Sequence, residues 1–344
     1  GVYVYPKDET KKSRGGTIRS VYSRISDASM ENMTNSAAMK IQTHVDLHAE
    51  YIYLEGGAEE VIAIDSPDGL RLDHLDVLLT QKTGLSGRAG LVFQSRSPVH
   101  GFVASRCDIG VVNIRKVPGG TANVAVVLGA GRQDDTEHSQ EGYHFQKIHA
   151  PGLLFSDVNY SSMKDCTFEE IICSAFRVGT DNARPDTLRN EGNRIGKLVM
   201  DTGNGSYDGD NTIFEQIIHA LPNGSLLGRF DLYGDGNRVY DFISRNTVAG
   251  ALRIHGKNNK IFDPKLEPGS GRAIIFESTS EANKIYRPIG HRLGTGIQYV
   301  AGASAGNEVI QPEHYHEQVN NPTNSTLRWA VNGNIFERAG NMTA

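Results

Sequence analysis

Carboxylates gather in three long turns of this chain: GAGRQDDTEHSQEG at 129–142, GTDNARPDTLRNEG at 179–192 and DTGNGSYDGD at 201–210. Later turns at matching positions are short, such as YGDG and GKN. Asp134, Asp135, Glu137, Glu141, Asp181, Arg184, Asp186, Asp208 and Asp210 therefore form the acidic wall of a candidate groove. Its floor is read from alternation in the strands that enter these turns, which points Arg177, Arg229, Asp231, Arg253 and His255 outward. Arg forks pair with carboxylates and Asp accepts sugar hydroxyls, so the set suits an anionic or hydroxyl-rich chain. Two carboxylates flanking a glycosidic bond suffice for its hydrolysis, at roughly 5–5.5 Å apart for retention and roughly 6.5–9.5 Å for inversion. The expected catalytic residues are Asp208 or Asp210 with Asp231. Arg177, Asp181, Arg184, Arg229, Arg253 and His255 are expected to hold substrate. On a substrate rich in uronic acid, an Arg/His pair can instead neutralise the carboxylate and abstract a proton, giving elimination.

Such residues converge only if the chain repeats. Asn237, Asn259, Asn283, Asn307 and Asn334 open NRVYDF, NKIFDP, NKIYRP, NEVIQP and NIFE, at intervals of 22, 24, 24 and 27 residues. Weaker copies begin at Asn193, Asn211, Cys166 and Cys107. Each copy follows a turn, and each turn follows a second short apolar segment, as in GRFDLYGDG and GALRIHGKN. The apolar segments are four to six residues long, alternate with period 2 and are broken by Gly, Asn and Pro. Helical repeats need longer stripes of period 3.6. The fold expected is all-β: a right-handed single-stranded parallel β-helix of roughly 22–27 residues per coil. Phe230, Leu232, Leu252, Ile254, Ile297 and Tyr299 should face inward, and each recurrent Asn should bond backbone at a stacked bend.

Residues 61–318 are assigned to the β-helix, 1–60 to an N-terminal cap or neck, and 319–344 to a last partial coil and tail. The stretch SMENMTNSAAMKIQTHVDLHAEYIYLEGG within that cap fits a segment that starts as a short helix and ends in a strand. Lys and Arg number 35 against 40 Asp and Glu, a balance that argues against nucleic acid as partner. No apolar run nears the ~20 residues of a membrane span, so no membrane insertion is expected. The opening GVYVYPKDETKKSRGG holds no apolar signal core. Three cysteines without a CxxC pattern read as buried thiols. Gly302-Ala-Ser304-Ala-Gly306 matches G-x-S-x-G, but a strand rather than a helix follows it. His314 and His316 lack further ligands fixed by spacing, so no metal and no cofactor are expected.

The pattern G-x-I-x-[IFY], turn, N-x-[IV], as in GALRIHGKNNKIFDP and TGIQYVAGASAGNEVIQP, resembles the pectate-lyase-like β-helix superfamily. Within it, the loose N-terminal segment and polar tail resemble bacteriophage tailspike depolymerases. That resemblance covers about residues 100–335. It implies a homotrimer on a virion tail, extracellular in its work, that binds and cleaves a capsular or O-antigen polysaccharide. Glycoside hydrolysis is the first expectation and β-elimination the second. The alternatives are a receptor-binding fibre domain without catalysis, and a secreted bacterial lyase or epimerase. Neither a pectate-lyase calcium motif nor the ordered polygalacturonase motifs are present, so the resemblance carries no catalytic residue onto this chain.

Overall fold

The computed structural model describes residues 2–4, 13–24, 37–42, 44–56, 60–65, 67–80, 88–95, 104–118, 124–131, 138–156, 161–179, 190–201, 203–220, 229–247, 252–268, 272–290, 296–300, 306–311, 326–331 and 334–339. It divides into two compact units, Gly1–Asn193 and Arg194–Ala344. Among the described residues every regular element is a strand, so no helix is long enough to cross a membrane. Strands of successive passes lie parallel and in register, an arrangement compatible with a parallel β-helix.

In the first unit, Thr17–Arg24 pairs with His48–Gly56, which pairs with Arg71–Leu79, then Asp108–Lys116, His144–Ser156 and Thr167–Val178. Within 1–60, expected to cap the stack, the described strands Thr17–Arg24 and His48–Gly56 are themselves paired in it. The alternation in HAEYIYLEG explains this: Ala49, Ile52 and Leu54 bury fully and leave polar side chains outside. The start of SMENMTNSAAMKIQTHVDLHAEYIYLEGG, where a short helix is expected, lies outside the described residues up to Ser36. Ala37–Gln42 is a strand, and the stretch ends in the strand His48–Gly56 as expected.

In the second unit each late pass holds three short strands. Phe230–Leu232, Arg238–Tyr240 and Phe242–Thr247 stack on Leu252–Ile254, Lys260–Phe262 and Lys265–Pro268. Phe230, Leu232, Leu252 and Ile254 are fully buried, as alternation predicts. Burying each such side chain stabilises by ~1.5–3 kcal/mol, so the interior column dominates the fold's energetics. Phe214 meets Phe230 edge to face and Phe230 meets Phe242 at a tilt, with centroids 6.0 and 6.1 Å apart.

One bend is repeated on every pass. A residue with positive φ (Asn211, Gly236, Asn258, Ala282, Gly306) precedes an inward Thr212, Asn237, Asn259, Asn283 and Asn307. Each Asn accepts, through Oδ1, the N–H of its counterpart one pass earlier. Thr212 donates to Asn237, Asn237 to Asn259, Asn259 to Asn283 and Asn283 to Asn307, at 2.8–3.0 Å. Their Nδ2 groups donate to the carbonyls of Gly209, Gly234, Gly256 and Ser280. The recurrent Asn is therefore a polar ladder at full burial, with its amides satisfied. Asn334 stands outside it: Asn334–Ala339 runs antiparallel to Thr326–Val331, which itself joins Glu308–Ile310 in parallel.

Candidate functional site

The second unit brings three of the expected site residues into contact. Gly205–Tyr207, Phe230–Leu232, Leu252–Ile254 and Arg272–Phe276 lie side by side, which sets Ser206, Asp231, Arg253 and Ile275 in one row. Backbone bonds from Tyr233, His255 and Glu277 to Tyr207, Leu232 and Ile254 set Asp208, Tyr233, His255 and Glu277 in the row beyond. Phe230 and Leu232 occupy the core, so Asp231 between them is directed outward.

Outward direction does not make Asp231 open. It is 3% exposed, enclosed by neighbours on its own face. Arg229 Nε lies 2.7 Å from Asp231 Oδ2, and His255 Nε2 lies 3.2 Å from Oδ1. A buried carboxylate is retained only when its charge is paired in this way. The Arg229 contact is an ion pair without an aligned Nε–H bond, since that buried N–H meets no acceptor with hydrogen-bond geometry. Arg253 Nε is in the same state, while its Nη1 reaches Glu277 Oε1 at 3.4 Å.

The proton on His255 follows from its partner. A carboxylate only accepts, so Nε2–H donates to Asp231 and the lone pair of the neutral ring falls on Nδ1. Nδ1 has no partner among the described residues. Tyr233 stacks on the imidazole with centroids 4.1 Å apart and planes 16° apart, which fixes its orientation. Burial, and then the Asp231 charge, raise the Tyr233 phenol above its ordinary value and keep it protonated. Behind this row the chain makes its closest turn: a Cβ on Gly234 would strike the Gly209 carbonyl, and one on Gly256 the Gly234 carbonyl. No family model, no curated protein and no solved structure matches this chain. Its chemistry is read from these side chains.

The remaining expected residues fall elsewhere. Asp208 flanks Tyr233, one position past the core residue Tyr207. Asp210 Oδ1 accepts the Asp235 N–H at 2.7 Å, and Asp235 Oδ1 accepts the Lys257 N–H at 2.6 Å, so Asp210 begins a ladder that shapes the turn. Arg177 is exposed near the end of Thr167–Val178, in the first unit. Asp181 and Arg184 lie outside the described residues, as do Asp134, Asp135, Glu137, Asp186, Ser304, His314 and His316. Glu141 ends the strand His138–Glu141 of the first unit.

Alternation alone missed Tyr233 and Glu277. The signal that finds them is the aligned repeat itself: FDLYG, LRIHG and IIFES set Tyr233, His255 and Glu277 at one phase. Among the described residues no group of three or more His, Cys, Asp or Glu side chains is arranged to hold a metal ion.

Proposed function

We propose that the stacked passes form a right-handed single-stranded parallel β-helix of the tailspike kind, and that the chain binds and cleaves a polysaccharide of the bacterial surface. One observation carries the reading: Asp231 is buried between Arg229 and His255, and His255 presents an open Nδ1. Asp231 is too enclosed to attack a sugar, so its role is to orient His255 and offset the imidazolium that forms there. His255 then serves as the base, and Arg229 and Arg253 neutralise an anionic group beside it.

This division of roles favours elimination over hydrolysis. His255 Nδ1 takes the proton next to a uronate carboxylate, the bond to the leaving oxygen breaks, and a carbon–carbon double bond forms. The leaving oxygen is protonated from solvent. Under the hydrolytic reading the second carboxylate is Asp208, which lies in the row that holds Tyr233 and His255.

Incubation with a panel of capsular and O-antigen polysaccharides tests the proposal. The expected product carries the ultraviolet absorbance of an unsaturated uronate. Asp231→Asn and His255→Gln should each lower turnover by at least ~100-fold, the low end for losing a positioned acid or base, with retention on the polysaccharide kept. New reducing ends without that absorbance replace elimination with hydrolysis and remove His255 from the role of base. Retention without any cleavage assigns a receptor-binding domain instead, and unchanged turnover in both variants removes the dyad from the chemistry.

A further inference from the structure

The repeat signature has outward positions that neither the core nor the candidate site uses. In NRVY, NKIF, NKIY and NEVI the first and third residues are buried, while the second and fourth point out. Register sets Arg238, Lys260 and Lys284 in one row and Tyr240, Phe262 and Tyr286 in the next. The rings stack face to face, with centroids 5.0 and 4.8 Å apart and planes 11° and 6° apart. Tyr240, at the near end, is 39% exposed.

Three cations directly opposite one another on neighbouring strands repel, and a fold gains nothing from that arrangement by itself. Nearby acids do not relieve it. Asp241 is taken by Lys265 and Gln216, Asp263 by Arg287 and Glu215 by Arg194. Lys284 has Glu308 at 3.6 Å, but Arg238 and Lys260 have no acidic partner among the described residues.

We infer that this strip binds a linear anionic glycan laid along the stacking direction, separately from the Asp231–His255 site. The inference rests on the reading of the ligand as a polysaccharide. Successive cations stand one strand spacing apart, ~4.8 Å. That is of the same order as the interval between carboxylates in a chain carrying one on every sugar. The aromatic row lies alongside, its stacked rings turning their edges outward as an apolar border to the cations. A glycan suits the strip better than a second copy of this chain, because a protein interface would bury two uncompensated cations.

Affinity electrophoresis through alginate, a polyanionic glycan, and through dextran, a neutral one, tests it. Alginate should retard the parent protein and dextran should not. The double variant Arg238→Gln/Lys260→Gln changes only exposed side chains. It should bind alginate about tenfold more weakly, with a shallower dependence on salt as fewer counterions are released. Asp231→Asn should keep alginate retention even where cleavage is abolished, so failure of the cleavage reading leaves this result standing. The inference is overturned if alginate does not retard the parent at low salt, or if the double variant binds as the parent does. Retention lost in Asp231→Asn but kept in the double variant overturns it as well. A fall in the double variant's mass by light scattering would do so too, by assigning the strip to contact between copies.

Discussion

His144 stands between Asp108 on one neighbouring strand and Glu169 on the other, its Nδ1 and Nε2 each 2.9 Å from a carboxylate oxygen. A carboxylate beside each nitrogen favours the doubly protonated ring, which can donate to both, over the neutral one. The bond to Asp108, and then that to Glu169, raise its pKa above the ordinary value. A raised folded pKa means that the folded state binds the proton more tightly. The contribution is therefore complete below the unfolded value of about 6.5 and is lost as pH climbs through the folded one. Urea midpoints of the parent and of His144→Gln should differ most below about pH 6 and converge above the folded pKa. A gap that is constant with pH would show that the ring acts through packing alone. Residue-level chemistry was legible in the sequence only in part. Period-2 alternation found the outward set of Arg229, Asp231, Arg253 and His255, because strand geometry fixes side. It did not find the burial of Asp231, which depends on how neighbouring passes close over it. Nor did it separate Asp208 from Asp210, which caps a turn through a bond to a residue 25 positions later. The thiols were legible: Cys107 and Cys166 are buried, and desolvation pushes both up to about 12.

At the scale of elements, the bend ladder ties passes together, and its regular spacing made the fold readable. Asn259 accepts the N–H of Asn237 and donates to the Gly234 carbonyl, with all three groups inside. Leucine has similar volume but offers neither bond. Asn259→Leu should leave two buried backbone groups unpaired, at about 1–3 kcal/mol each, for a loss of roughly 2–6 kcal/mol. Equilibrium urea unfolding measures it, and a shift below ~1 kcal/mol would mean that the ladder is filled by something other than these bonds. The same bend exists in the first unit, where positive φ at Asp46, Gly69, Arg106, Gly142 and Asp165 precedes buried Leu47, Leu70, Cys107, Tyr143 and Cys166. Apolar residues fill these positions, and the ladder of Asn begins at Asn193, which follows Gly192 and accepts the Cys166 N–H at 2.9 Å, so no recurring Asn announced the earlier bends. The 37 residues between Leu70 and Cys107, and the 36 between Cys107 and Tyr143, also break the period. Within 1–60 the bend residue is Leu47, so no Asn marked the described strands there as passes of the same stack. Asn334 erred the opposite way, since an Asn followed by an apolar residue suits an antiparallel return as well as another pass.

At the scale of the whole molecule, the question is how the stack is completed. A run of parallel strands leaves an unpaired edge wherever it begins, and such edges are covered in stable proteins. Among the described residues Thr17–Arg24 has a strand neighbour on one side only, His48–Gly56, and carries Tyr22 at 71% exposure. Tyr22 stacks on Tyr53 with centroids 4.9 Å apart, so the aromatic surface is ordered and directed at solvent. Repeat proteins bring polar end caps or partner subunits to such places. Self-association is one way to supply such cover. Together with the tailspike resemblance, this leads us to expect a homotrimer. Light scattering should give three times the chain mass of 37.5 kDa. Because subunits bound only in the folded state stabilise it by mass action, the unfolding midpoint should also rise with protein concentration. A mass of one chain together with a midpoint independent of concentration would remove the trimer. It would leave the Asp231–His255 site untouched, since every contact that builds that site lies within one chain.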